Sequence, residues 1–276
     1  MDIEGKTAVI TGGSAGIGLA IANALADAGI GAIVIGDIDD ANGEAAVAGI
    51  IDKGAKSVYK HTDVSNADDI RALFDEAVKN FGQVDIVFNN AGIMLGEPAW
   101  PEVAIERLGL GVQINLLGVM YGTRVAIDVL SQSGGGLIIN TASPAGFGPL
   151  PPDPMYAATK AAIINFTLSC ATLQASHNIR VNAILPGTTD TAILNKSGDG
   201  TTPAAWLKPF IGMLNLLTVE DIAKGAIDVI EDDSRVGEAL SIENPAKEGG
   251  EAGYIRLRDN TEFHERALGN VVTTAD

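Results

Sequence analysis

The chain has 276 residues, 46% of them hydrophobic and 5% aromatic, enough apolar side chain for one large domain or two small ones. A formal net charge of -17, from 35 acidic residues against 18 Lys and Arg, argues against nucleic acid and anionic membrane surfaces, both of which select clustered cations. The single cysteine, Cys170, leaves no possibility of an internal disulfide or a thiolate metal cluster and reads as a core residue.

With so few aromatics, the apolar volume comes from Ala, Val, Ile and Leu, as in layered α/β proteins with buried parallel strands. Met1–Lys6 is acidic and enters a strand directly, unlike a signal peptide, and no apolar run reaches the roughly 18 residues of a spanning helix. The expectation is a soluble, cytoplasmic protein.

Lys6–Ile10 is a short apolar run, followed by Thr11–Gly18 and a helical stretch from Leu19 to Ala28. Strand, glycine turn, helix is the context in which a helix N-terminus receives a dinucleotide pyrophosphate, although the spacing of Gly12, Gly16 and Gly18 is TGxxxGxG, not GxGxxG. The second strand, Ala32–Ile35, ends at Gly36-Asp37. A carboxylate there can accept both hydroxyls of the adenosine ribose and repels a 2'-phosphate, which favours NAD over NADP. Asp39 and Asp40 are N-cap candidates for a helix through Ile51.

Ser57–His61 reads as a third strand, Asn66–Phe81 as a helix with Ile70, Leu73, Phe74, Ala77 and Val78 on one face, and Val84–Phe88 as a fourth strand before Asn89-Asn90-Ala91-Gly92. A long helix is predicted over Pro101–Leu130. It carries Asn115, an amide that needs partners if buried. Leu137–Asn140 is the fifth strand, Met155–Ala175 a helix, Ile179–Leu185 the sixth strand before Pro186-Gly187, Val219–Ile230 a helix and Ala239–Ile242 the final strand. Buried strands alternating with helices predict a single-domain, doubly wound parallel sheet of Rossmann type with helices on both faces. The expected division is a catalytic domain over 1–245, with a helical lid over 188–217, and a C-terminal extension over 246–276. His61, His177 and His264 lie far apart in sequence, and no metal site is predicted.

The chemistry concentrates after the fifth strand. Ser143 follows the strand end, and Tyr156 and Lys160 are four residues apart, on one face of a helix. A phenol is a poor acid–base near pH 7, and a nearby ammonium lowers its pKa. Gly12, Asp37, Asp63, Asn90 and Ser143 all fall at carboxyl ends of predicted strands, where ligands of such sheets bind.

Taken together, Thr11–Gly18, Asp37, Asp63-Val64, Asn89–Gly92, Asn115, Ser143, Tyr156 to Lys160 and Pro186-Gly187 resemble the short-chain dehydrogenase/reductase family in order and spacing across residues 4–243. The resemblance implies an NAD-dependent alcohol dehydrogenase or ketone reductase. Tyr156 would be the general acid–base and Ser143 the holder of the substrate oxygen. Lys160 would bind the nicotinamide ribose and depress the Tyr156 pKa, and Asn115 would hold a water in a proton relay. Gly12, Ser14, Gly16, Ile17 and Gly18 would pass under the pyrophosphate, with Asp37 and Ile38 at the adenosine ribose. Asp63 and Val64 would flank the adenine, Asn90, Ala91 and Gly92 would line the adenosine side, and Pro186, Gly187, Thr189 and Thr191 would meet the carboxamide. A homo-oligomer, dimer or tetramer, is implied as well. The chain departs from the family at Thr189, where Ile or Val is frequent, and after the last strand, where Asn244–Glu248 and a long tail replace a glycine-rich finish.

Phe147, Leu150, Met155, Ile193, Trp206 and Phe210 are the expected substrate walls beside Ser143 and Tyr156, with Leu194, Met94 and Leu95 as further candidates. No Arg or Lys occurs in 141–159, so the expected substrate is a neutral, mainly apolar secondary alcohol or ketone, alicyclic, aromatic or steroid-like. Two alternatives remain on sequence grounds: an epimerase or dehydratase that retains NAD, and a non-catalytic NAD-sensing protein.

Overall fold

A computed structural model describes residues 1–247 and 249–257 of the chain. In order they form β1 (Thr7–Thr11), α1 (Gly16–Asp27), β2 (Ala32–Asp37), α2 (Asp40–Asp52), β3 (Lys56–His61), α3 (Ala67–Phe81), β4 (Ile86–Asn89), α4 (Ile105–Val112) and α5 (Gly118–Gln132). Then follow β5 (Gly136–Thr141), α6 (Pro154–Ser169), α7 (Leu173–His177), β6 (Ile179–Pro186), α8 (Ala192–Lys196), α9 (Lys208–Ile211), α10 (Val219–Glu231), β7 (Ala239–Glu243) and β8 (Gly253–Arg256).

The strands make one sheet in the order β3-β2-β1-β4-β5-β6-β7-β8, parallel throughout except for β8. Side chains alternate across it. Ile10, Ile35 and Phe88 pack with Ile21 and Leu25 of α1 and Ile222 and Val229 of α10 on one face. Their neighbours Val9, Val34 and Val87 pack with Ile70, Leu73 and Phe74 of α3 and Ala126 and Leu130 of α5 on the other. Both faces are therefore covered, which is why the strands read as continuous apolar runs. The chain leaves β1 toward β2 on one side and reaches β4 on the other, so a crevice opens at the carboxyl ends of β1 and β4.

The predicted α3 is reproduced: Asn66 caps it by accepting from Asp68 N–H, and Gly82 ends it in the left-handed region at φ 82°. The predicted long helix begins four residues late, at Ile105. Gln113–Leu117 form a π-helical turn that joins α4 and α5 into one run through Gln132. By length and composition alone this run could cross a membrane, although the sequence shows no unbroken apolar stretch of that length. Here it is a layer helix: Val119, Ala126 and Leu130 are buried, and Arg124 and Asp128 pair at 2.7 Å.

Ala239–Glu243 is not the last strand. β8 adds antiparallel to it, Arg256 forks onto Glu238 at 2.8 and 2.9 Å, and Tyr254 donates to the Asp221 carbonyl at 3.0 Å. Part of the tail assigned to an extension thus completes the sheet edge. The remainder, 258–276, lies outside the described residues, and with it His264.

Gly122 of α5 rests on β4, where an added Cβ would collide with the Asn89 side chain, itself bonded to Asn140 at 2.9 Å and Thr123 at 3.1 Å. Gly122→Ala should therefore destabilise the fold by roughly 1–3 kcal/mol despite the better helix propensity of alanine, as measured by urea unfolding.

Candidate active site

The glycine turn after β1 is shaped for close approach. Gly12 and Gly16 have φ of 64° and 53°, which L side chains rarely adopt. A Cβ on Gly12 would stand 2.9 Å from Cα of Ala91, and one on Gly18 would strike the Gly12 carbonyl. No side chain caps α1, whose N-cap is Ala15, so its first amides remain available to an anion. Asp37, at the end of β2, accepts from Ser14 N–H at 3.1 Å and Ser14 Oγ at 2.6 Å. Its other oxygen takes the Ile38 and Asp39 amides. Ile38 is 67% exposed beside it.

Asn90 ties three strand ends together. Its Nδ2 donates to the carbonyls of Thr11 at 3.2 Å and Gly12 at 3.1 Å, and its Oδ1 accepts from Thr141 Oγ1 at 3.2 Å. Asp63 closes its own turn on Ser65, and Val64 is buried against Gly118 of α5. Thr191 stands over Gly16, where a Cβ would lie 3.6 Å from its methyl group. Buried Thr189 bridges to Leu217 and donates to the Gly187 carbonyl at 3.0 Å, so its hydroxyl is used locally. Gly187 backs against Asn244, which bonds the Thr188 amide and carbonyl and the Asn215 carbonyl. Asn244, which in sequence only marked a departure from the family pattern, thus pins both ends of the lid.

A dinucleotide cofactor fits this edge: a glycine cradle, an uncapped helix N-terminus and a carboxylate at the ribose position face one crevice.

Ser143, Tyr156 and Lys160 converge. Ser143 is buried two residues past β5, and its hydroxyl accepts from the Ala145 amide at 3.2 Å and lies close enough to the Tyr156 phenol to favour the phenolate. Lys160, 3% exposed, donates to the Thr141 carbonyl at 2.7 Å and sits 5.5 Å from the Tyr156 ring centroid. Gly92 keeps the space beside it open, since a Cβ there would lie 3.3 Å from Asn115 Oδ1 and 3.6 Å from Lys160 Nζ.

Two expectations change. The Tyr156 phenol is not depressed; burial pushes it up to about 12, opposed by the Ser143 bond and reinforced by the Asp153 charge. The ammonium faces the Thr141 carbonyl and the phenol ring, and burial pulls Lys160 itself down to about 8. The Asn115 side chain, in the π-helical turn, is spent on Ile93: Oδ1 accepts its N–H at 2.7 Å and Nδ2 donates to its carbonyl at 2.8 Å. It is a strut under the loop after β4, and its Nδ2 also reaches Thr159 Oγ1 at 3.4 Å.

Among the expected substrate walls, Phe147 and Phe210 are exposed, and Leu150, Ile193 and Trp206 are half-buried. Met155 is instead buried in a small core with Leu95 and Val103, pressed on Gly111 of α4. Sequence reading passed over Asp153. It caps α6 from the position before Pro154, and the Asp-Pro pair was the available signal.

The family profile described as short chain dehydrogenase matches residues 6–201. The chain is 38% identical over 200 residues to 3beta-hydroxysteroid dehydrogenase 2 of Eggerthella lenta, covering 69% of this chain and 74% of that one. It is 34% identical over 256 residues to human 15-hydroxyprostaglandin dehydrogenase [NAD(+)], covering 88% and 92%. A crystal structure of 3-ketoacyl-(acyl-carrier-protein) reductase from Brucella melitensis complexed with NADH superposes with a TM-score of 0.76 at 31% identity, over 87% of this chain and 97% of the other.

Because its pKa lies below that of a free lysine, Lys160 binds its proton less readily in the folded than in the unfolded chain between pH 8 and 10.5. Its burden on stability is therefore full below pH 8 and fades as pH rises through that window. Lys160→Met should be more stable than the parent at pH 7, by on the order of 2 kcal/mol, with the gap closing toward pH 10. Thermal unfolding of both proteins across this range reads the difference.

Proposed function

The chain belongs to the short-chain dehydrogenase family, and on that premise we propose that it is an NAD-dependent oxidoreductase that interconverts a neutral, mainly apolar secondary alcohol and its ketone. The observation that carries the reading is the meeting of the Ser143 hydroxyl with the Tyr156 phenol at the carboxyl edge of the sheet, with Lys160 beside them. Proteins similar to this chain are named for dehydrogenation of a hydroxysteroid and a hydroxyprostaglandin, which supports a secondary alcohol as the reacting group.

When bound, NAD supplies the hydride acceptor and, reduced, the donor. The Gly12–Gly18 turn and the α1 N-terminus would hold its pyrophosphate, Asp37 its adenosine ribose, and Lys160 its second ribose. The protein then positions and moves one proton. Ser143 holds the substrate oxygen against Tyr156. In reduction Tyr156 gives its proton to that oxygen; in oxidation it takes the alcohol proton. The raised phenol makes the protonated form the resting state at neutral pH, ready for reduction, whereas oxidation needs the phenolate. The Phe147 to Leu150 loop and the lid residues Ile193, Trp206 and Phe210 would enclose the apolar part of the substrate. Residues 1–245 are the catalytic unit in this reading, which β8 extends at the sheet edge.

Tyr156→Phe should lower kcat for NADH formation by roughly 10²–10⁴-fold while leaving NAD binding within a few fold, measured by absorbance kinetics and by titration. A panel of secondary alcohols should favour neutral alicyclic and aromatic members over carboxylated or phosphorylated ones; the opposite order refutes the substrate class. The kcat/KM for oxidation should climb with pH from 7 to 9 by about tenfold per unit, the slope of a single required deprotonation, while reduction stays nearly flat.

A further inference from the structure

Asp153 is 2% exposed and carries none of the roles above. Its two carboxylate oxygens serve two different elements. Oδ1 accepts the Tyr156 amide at 2.9 Å, at the start of α6, and Oδ2 accepts the Leu95 amide at 2.9 Å, in the loop after β4. That loop also holds Asn115 through Ile93. The Leu95 carbonyl accepts from Arg107 Nε of α4 at 2.7 Å. Gly96, the next residue of that loop, lies close to both Arg107 and segment 188–217: a Cβ on it would lie 3.4 Å from Arg107 Nη2 and 3.3 Å from the Lys196 carbonyl. One carboxylate thus joins the helix bearing Tyr156 and Lys160 to the loop after β4, which Arg107 ties to α4.

A helix cap alone does not require this group. Ser, Thr or Asn caps as well, with one oxygen and no charge. Here burial pushes the carboxyl up, and two amides that both donate to it, with the neighbouring Arg107, oppose that push in favour of the carboxylate. The groups that face it are Arg107 from α4, Tyr156 from its own helix and the Leu95 amide from the loop.

We propose that Asp153 is a positioning residue for the oxidoreductase reaction: it locks the first turn of α6 to the loop after β4 and fixes a negative charge behind Tyr156. The inference rests on the reading of Tyr156 as acid–base, since Asp153 acts through the phenol and touches no substrate. A fixed negative charge disfavours the phenolate, so it biases Tyr156 toward giving its proton and the enzyme toward reducing ketones. It also ties the first turn of α6 to α4, because Leu95 gives its N–H to Asp153 and its carbonyl accepts from Arg107.

Asp153→Asn keeps the size and one acceptor. Asparagine can still cap Tyr156, but it turns an NH2 toward the Leu95 N–H and removes the charge. Relative to the parent, the variant should show the acid limb of kcat/KM for alcohol oxidation displaced to lower pH by about half a unit or more. Its plateau should fall by roughly tenfold from lost positioning, with NAD affinity within about twofold. A cap with a purely structural role lowers the plateau and leaves the limb where it was. An unmoved limb therefore overturns the proposal, as does a loss of NAD affinity in step with kcat/KM. If Asp153→Asn does not fold, Asp153→Ser carries the test: it keeps a helix cap and removes the charge, so the limb must again move to lower pH, and an unmoved limb again overturns the proposal. Retention of full turnover by Tyr156→Phe in the otherwise unchanged protein would instead overturn the reading of Tyr156 itself, whatever Asp153 does.

Discussion

The constraint on which the site depends is the need to satisfy backbone at the carboxyl edge of a parallel sheet. Parallel strands end with carbonyls and amides that the ladder no longer pairs, and a crevice between strand ends leaves them without a covering helix. Asn90 meets this need at the reversal point. Its single amide group takes the Thr11 and Gly12 carbonyls and the Thr141 hydroxyl, fixing β1, β4 and β5 relative to one another. The next groups build on that frame: Thr141 offers its carbonyl to Lys160, and Ser143 stands two residues further on. Asn115 and Asp153 do the same work on the far side of the loop after β4, at Ile93 and Leu95. Each of these three side chains saturates main-chain groups that would otherwise be buried without partners.

The same burial sets the electrostatics. Desolvation disfavours the charged form of any group, so it pushes the Tyr156 phenol up and pulls the Lys160 ammonium down. Without a cofactor, the two effects drive the pair away from the phenolate–ammonium state. In the proposed reaction a cationic ring and ribose hydroxyls brought beside them would act in the opposite sense, so the working state of the phenol would depend on the bound nucleotide. Such an arrangement would suit an enzyme that should not deprotonate an alcohol before the hydride acceptor is in place. The cost falls on stability, because a lysine with one carbonyl partner in a closed site holds its charge poorly.

Much of this was legible in the sequence where one pattern had one physical cause. The five strands at 7–11, 32–37, 86–89, 136–141 and 179–186 announce themselves as apolar runs because both sheet faces are covered. The ends of α3 were readable from Asn66 and Gly82. The glycine turn and the 156/160 pair were readable because each rests on spacing alone. What was not legible depends on partners distant in sequence. β8 has four residues, Gly253–Arg256, too few for a period, and it forms because β7 offers an open edge and Glu238 a fork for Arg256. The loss of Met155 to a core with Val103 arises from packing between segments about 50 residues apart, and the inversion of the Tyr156 shift arises from its burial.

The apolar side chains of the lid bear on substrate choice more firmly than the absence of cations in 141–159. Phe210 is 48% and Met213 76% exposed, while Ala204 and Leu207 beside them are buried. The segment is therefore anchored through Ala204 and Leu207 and leaves Phe210 and Met213 uncovered among the described residues. Its backbone is tied at both ends, by Asn244 to Thr188 and Asn215, and at the middle by the Glu97 carboxylate to the Ala205 amide. Burying a Phe or Met side chain contributes roughly 1.5–3 kcal/mol, so an apolar ligand that covers even one of these residues gains a large share of a micromolar affinity. In the proposed reading the segment would select by the area a ligand covers, and the polar selection would fall to the single oxygen between Ser143 and Tyr156.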